Sequence, residues 1–380
     1  MTYWLAMVVF LMEFTTHLAP DQRPLAILVG QVDFAFIMLS AGVYKLTAGY
    51  AHNNGMEYGM VNPQWGYWWK FFQKLPPKSP IFQFLNFNAW FQEILAAVLM
   101  LIPETRFLGG MIILLSFVFI ATQIRLGVLC EVVITCCFLF FHPGSAGERF
   151  LHWATAFIPG AHFPTEQTVL LAAAQPPQAF SQPVGTVLMA YLFILPMAHA
   201  GVFYNFYSKK ALPQVLQLAL EKYTNFFGII IWRVFSADIT NFFPQIYQVE
   251  KSGGSKTHIS RYGWQGGLRF NNVGESIALT CLFTTLKYYA SNQDLFNERL
   301  LRYARTLPCR EDCVLVFEYN SIKKESGCFS PQVVAKYIVD TGTNSVEEIL
   351  LAKDFSVHAT SPNSPVAEGI RPGSYVRLGS

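Results

Sequence analysis

One ammonium and three carboxylates stand in stretches of this chain that are otherwise apolar. Lys45 lies in the run Ala41-Gly42-Val43-Tyr44-Lys45-Leu46, near the end of a segment that begins at Pro24. Asp33 sits in the middle of the same segment, and Glu93 and Glu131 lie a few residues into later ones. A charge on a membrane helix costs roughly 3 kcal/mol on insertion scales. It is kept when it snorkels, pairs or does chemistry. The chemistry open to this set is proton transfer. A desolvated lysine can be neutral and act as a base, with neighbouring carboxylates tuning it. Lys45, Glu93 and Glu131 are therefore the candidate catalytic residues. Tyr44, Trp65 and Trp68 offer aromatic surface suited to a lipid or quinone head group. With Asp33 and His199 they make up the candidate substrate-binding set.

Each residue also has a plainer reading. Lys45 can reach the headgroups, and Glu93 and Glu131 can be structural partners of Lys45 or Arg125. His199 is a lone histidine on an apolar helix, which points to packing rather than metal binding. Glu13 and His17 are four apart and share a helix face, as a local pair would. Asp33 has to be neutralised or paired at its depth. No Gly-rich phosphate loop, nucleophile elbow or H-E-x-x-H run is present. The seven cysteines form no C-x-x-C pair, so no metal site is expected.

These residues need elements to hold them, and composition says which kind. Of 380 residues, 52% are hydrophobic and 13% charged, and the mean hydropathy is +0.31. A soluble domain carries about 25% charged residues, so the chain requires an apolar solvent. Its formal charge of +3 and lack of a basic stripe exclude a nucleic-acid footprint. Spans are expected at 2–18, 24–46, 89–102, 107–124, 126–141 and 183–207. The segment 224–243 suits an interface better than a crossing. The fold class expected is a polytopic α-helical membrane protein of about six spans with a C-terminal α+β soluble domain.

Residues 1–243 would form the transmembrane bundle, with an aromatic interfacial segment at 50–88 and an extramembrane loop at 143–182 carrying a short helix near 165–174. Residues 244–357 would form the soluble domain, followed by a weakly ordered tail, 358–380. Within that domain, 292–306 reads as an amphipathic helix and 314–319 as a strand. Residues 333–340 and 346–352 flank a hairpin turn. With six crossings, Lys70, Lys74, Lys78, Arg125, Lys209, Lys210 and Lys222 share one side, and Arg23, Arg106 and Arg149 the other. The positive-inside rule then makes both termini cytoplasmic, as in a cell inner-membrane protein. In this topology Lys45, Glu93 and Glu131 approach one membrane face, the acids about 6–8 Å inside it.

Two short motifs carry a resemblance. The run 41–46, followed by Tyr50 and Gly55-Met56-Glu57-Tyr58, resembles a stretch of the vitamin K-dependent gamma-carboxylases, within the wider HTTM (horizontally transferred transmembrane) family. Trp232-Arg233-Val234-Phe235-Ser236 is similar to a Trp-x-Met-Phe-Ser signature of the same group. The resemblance covers about residues 1–240. It implies a base at Lys45 acting toward a reduced quinone as cofactor, with Tyr44 in place of the first lysine of the family's pair. Two classes of function follow. One is an enzyme doing proton-coupled redox or transfer chemistry on a quinone or lipid-linked substrate. The other is a non-catalytic subunit or scaffold in a membrane complex. In both, the partners expected are membrane lipids and other membrane proteins, not nucleic acid.

Overall fold

The structure, a computed structural model, describes residues 2–52, 54–142, 144–155, 181–208, 210, 212–227, 240–260, 273–288, 292–325 and 327–350. The chain divides into two compact units. One comprises Met1–Asn53, Phe84–Thr122 and Leu126–Val234; the other comprises Asn54–Gln83, Gln123–Arg125 and Phe235–Ser380.

The first unit is helical. Its elements are α1 (Thr2–Leu18), α2 (Arg23–Thr47), most of α5 (Pro80–Leu101), α6 (Arg106–Gln123), α7 (Val128–Cys137), α8 (Ala146–Thr155), α9 (Ser181–Ser208) and α10 (Gln214–Phe227). Two short helices that belong to the other unit, α3 (Met56–Val61) and α4 (Trp69–Phe72), intervene. Four helices among the described residues are long and apolar enough to cross a membrane: Pro20–Thr47, Pro80–Leu101, Arg106–Gln123 and Ser181–Ser208. Two of the six expected spans, 2–18 and 126–141, are not among them. At 17 residues α1 falls short of the ~20 a bilayer core requires, and so does α7 at 10.

The helix α5 starts nine residues before the expected 89. Gln83, Asn86 and Asn88 dilute its hydropathy, but Pro80 starts the helix there all the same.

Packing sets the direction of each helix. Val8 of α1 meets Gly30 of α2, while Trp4 stacks on Phe34, so α1 and α2 run antiparallel. Gly109 of α6 lies on Ala96 and Met100 of α5, and Phe140, just past α7, lies on Gly110. Gln22 meets Ser181, Ala26 and Val29 meet Leu188, and Tyr44 meets Phe206, so α2 and α9 run parallel. The helix α2 is the most enclosed, with 67% of its apolar window buried against 33% or less for the other three. The helix α5 turns a stripe outward instead: Phe84, Phe87, Phe91, Leu95, Val98 and Ile102, at helical spacing, are exposed.

A close approach in this unit joins α2 and α5. A Cβ placed on Gly42 would come within 2.7 Å of Ile94 Cγ1 and 3.0 Å of the Trp90 carbonyl oxygen. Only a glycine lets the two backbones meet here.

The second unit is α+β. A five-stranded antiparallel sheet has the order β2-β1-β3-β4-β5. Its strands are β1 (Phe242–Glu250), β2 (Lys256–His258), β3 (Cys313–Lys324), β4 (Phe329–Asp340) and β5 (Ser345–Leu350). The expected strand at 314–319 is the first half of β3. The expected hairpin is the β4–β5 pair, turning at Asn344 with φ 57°. The amphipathic helix is α12 (Gln293–Ala304), whose first turn is capped by the Asn292 side chain accepting from Leu295 N–H. It follows α11 (Val273–Tyr288).

Phe283 of α11 and Phe296 of α12 pack on Tyr337, and Phe283 also meets Phe317 and Tyr319. By strand alternation, Glu318 faces the other side of the sheet. There one carboxylate oxygen of Glu318 accepts from both Lys256 and Lys336, each at 2.9 Å.

Residues 54–83, expected to lie in the membrane interface, belong to this second unit. Three polar side chains with no exposure hold them there. Glu57 pairs with Lys324 at 2.6 Å. Asn62 donates to the carbonyls of Thr240 and Phe242, and Gln64 donates to Ser276 and Thr280. Arg125 is buried too, giving Nη1 to the Pro63 carbonyl at 2.7 Å and covering the Tyr67 ring. The expected helix near 165–174, the Trp232–Ser236 motif and the tail 358–380 lie outside the described residues.

Two predictions follow. Gly42→Leu should destabilise the helical unit by about 1–3 kcal/mol, the usual cost of overpacking; thermal unfolding in detergent measures it. For Glu318, burial raises the carboxyl pKa, but hydrogen bonds and charge from Lys256 and Lys336 outweigh this and hold it below its ordinary 4.5. A depressed folded value means the stabilisation is complete above 4.5 and is lost as pH falls through the lower folded value. Glu318→Gln should flatten that acid limb in a melting-temperature series against pH.

Candidate functional site

The buried ionisable groups that the sequence places in apolar segments occupy two settings, and a third pair stands outside those segments. The first is the pair Lys45–Glu93. On α2, Met38, Ala41, Gly42 and Lys45 are all buried and share one face. On α5 the residues facing Gly42 are Trp90 and Ile94, and Glu93 beside them is buried. Gly42 brings the helices together, and Lys45, one turn further on, meets Glu93, which lies between Trp90 and Ile94. Lys45 Nζ donates to Glu93 Oε1 at 2.5 Å, with the two side chains 6% and 3% exposed. The helix α2 ends just beyond, at Gly49 with φ 108°. Lys45 thus stands in the last turn, where the helix dipole favours a cation.

The second carboxylate oxygen of Glu93 is buried without a hydrogen-bond partner among the described residues, as is Trp90 Nε1 one turn away. In apolar surroundings the charged and neutral forms of such a pair lie closer in energy than in water.

Glu131 is not part of this site. It is exposed in the first turn of α7 and makes no ion pair among the described residues. Its segment buries Cys130, Val133 and Cys137 instead, so Glu131 points away from the packed face. Arg125, the other expected partner, is engaged by the turn at 63–67.

Asp33 is buried in a second setting. Its Oδ2 accepts from Trp4 Nε1 at 2.7 Å and from the Tyr191 hydroxyl at 2.8 Å, which ties α1, α2 and α9 together. His199 stacks on Phe36 with ring centroids 4.9 Å apart, and its Nε2 is buried without a hydrogen-bond partner among the described residues. Tyr44 is buried with its ring 6.0 Å from Phe206, on the α9 side of α2. Trp65 and Trp68 belong to the second unit, the first buried and the second exposed. Glu13 and His17 form the local pair expected, at 3.5 Å and well exposed.

The third setting, Glu57 with Lys324, was not anticipated. Its signal was a glutamate in a short polar stretch after α2, which hydrophobic periodicity does not register. No group of three or more metal-ligating side chains occurs among the described residues, and the cysteines there are free thiols.

Comparison of the chain with family models, curated proteins and solved structures returns no match.

Breaking a buried ion pair costs about 3–5 kcal/mol because the remaining charge is stranded. Lys45→Met alone should reach that range. Adding Glu93→Met should restore part of the loss, so that the double variant is more stable than the sum of the singles predicts. A double-mutant cycle of unfolding free energies in detergent checks this.

Proposed function

We propose that this chain is a multi-pass membrane protein in which Lys45 and Glu93 form a proton-exchanging site for a quinone or lipid-linked substrate. The observation that carries the reading is the buried 2.5 Å contact between the two side chains. A snorkelling lysine would be exposed, and this one is not. The unpaired Glu93 Oε2 leaves an acceptor beside the amine for a substrate hydroxyl. Membrane residence is supported by the four long apolar helices and by the outward stripe on α5. The alternating directions of α1 and α2 and of α5 to α7 favour six crossings, two of them short, and the lysine-rich side is then the cytoplasmic one. Membrane lipids are the partners in this reading. The resemblance to the HTTM group adds support, since Lys45 stands where that family has its base.

The competing reading makes the pair a structural staple in a scaffold or subunit. The tight Gly42 crossing favours it equally well, so the test must keep the packing. Lys45→Gln with Glu93→Gln retains size and hydrogen bonding but removes the acid–base couple. Gentle extraction into nanodiscs followed by mass spectrometry should recover a quinone or isoprenoid lipid with the wild-type chain. The doubly neutral variant should fold but lose that molecule or leave it unreacted. If no such molecule accompanies the wild type, or if the variant handles it equally well, the staple reading stands.

A further inference from the structure

Three buried polar atoms without hydrogen-bond partners among the described residues lie along one seam of the helical unit. They are Nε2 of His199 and Oδ1 of Asn205 on α9, and the Tyr223 hydroxyl on α10. Leaving such an atom unpaired away from water costs about 1–3 kcal/mol. The seam has an order, because α9 and α10 run antiparallel. Tyr191 lies against Phe227 with centroids 4.8 Å apart, Leu220 lies against Gly201, and Asn205 bonds to Gln217. Tyr223 therefore falls between the first two contacts, beside the turn that carries His199.

Both ends of the seam are hydrogen-bonded. At one end Tyr191 donates to Asp33 at 2.8 Å, and the Tyr191 and Tyr223 rings are 6.2 Å apart. At the other, Asn205 Nδ2 donates to Gln217 Oε1 at 2.8 Å, and Gln217 Nε2 donates to Glu221 Oε1 at 2.8 Å. Glu221 is partly exposed. Asp33 has two neutral donors and no ion pair among the described residues, so nothing there neutralises it except a proton. Pro196, inside α9, has no N–H and leaves the Leu192 carbonyl as a further acceptor near the seam.

We infer that this seam carries protons between Glu221 and the buried carboxyl of Asp33, with Tyr223 and His199 as relay groups. In each passage the Tyr223 O–H bond breaks as an O–H bond forms on Asp33. In the same passage Glu221 gives its proton to the unprotonated ring nitrogen of His199, and the proton on the other ring nitrogen passes to the Tyr223 oxygen, so Glu221 ends one proton poorer, Asp33 one richer and the two relay groups unchanged in charge. One proton moves and no electron does. Bridging water completes the relay at the three unpaired atoms, the places along the seam with hydrogen-bonding capacity left. The inference is independent of the Lys45 site, about 18 Å away along α2 by helical rise.

The test is the infrared carboxyl band of Asp33 after a rapid pH jump, in protein reconstituted in nanodiscs. The band is assigned by its loss in Asp33→Asn or, should that variant not fold, by its shift in Asp33→Glu. Wild-type protein should show the band responding to pH. Tyr223→Phe and His199→Phe should each slow the response about tenfold or more while leaving its amplitude unchanged. Equal rates in wild type and both variants would overturn the relay, as would a band that does not respond to pH at all.

Discussion

The helical unit is organised around one buried contact between opposite charges. An ammonium and a carboxylate in an apolar bundle are each unfavourable alone, and the pair is tolerable only if the two helices that carry them come close and stay in register. Gly42 provides the approach, against Trp90 and Ile94 of α5 on either side of Glu93. The end of α2 at Gly49 places the lysine at the negative end of the helix dipole. These features act together, since moving either helix would strand both charges.

The rest of the unit repeats the same solution with neutral donors. Asp33 is held by an indole and a phenol from two other helices, and Gln31 reaches the Leu139 carbonyl. Lys45, Glu93, Asp33 and Gln31 therefore double as cross-ties within the bundle. The second unit does likewise for a segment with little regular structure. Glu57, Asn62 and Gln64 fasten these residues together with buried apolar side chains such as Met60 and Phe82. Buried polar groups of this kind specify one arrangement because few alternatives satisfy them.

What could be read from the sequence follows from this. Lys45 and Glu93 stood out because charge in an apolar run is rare, and the strands and helix after residue 290 stood out by periodicity. Glu131 was misassigned because counting residues gives depth along a helix but not the direction in which a side chain points. Thr135 and Phe138 share its exposed face, and only the packing of α7 reveals that. The start of α5 was hidden by Asn86 and Asn88, which lower hydropathy without interrupting a helix. The place of residues 54–83 was hidden for a different reason. Aromatic residues at 65–72 suit a membrane interface and a protein core equally, and the polar contacts that tie the segment to the second unit are distant in sequence.

The central claim is that Lys45 and Glu93 are paired inside the bundle when the protein is in a membrane. Solid-state NMR with labelled lysine nitrogen and glutamate carboxyl carbon in a lipid bilayer tests it directly. A strong dipolar coupling between Lys45 Nζ and the Glu93 carboxyl, lost in Glu93→Gln-labelled controls and accompanied by no coupling to lipid phosphorus, is the predicted result. Coupling of Lys45 Nζ to phosphorus, with none to Glu93, would contradict the account.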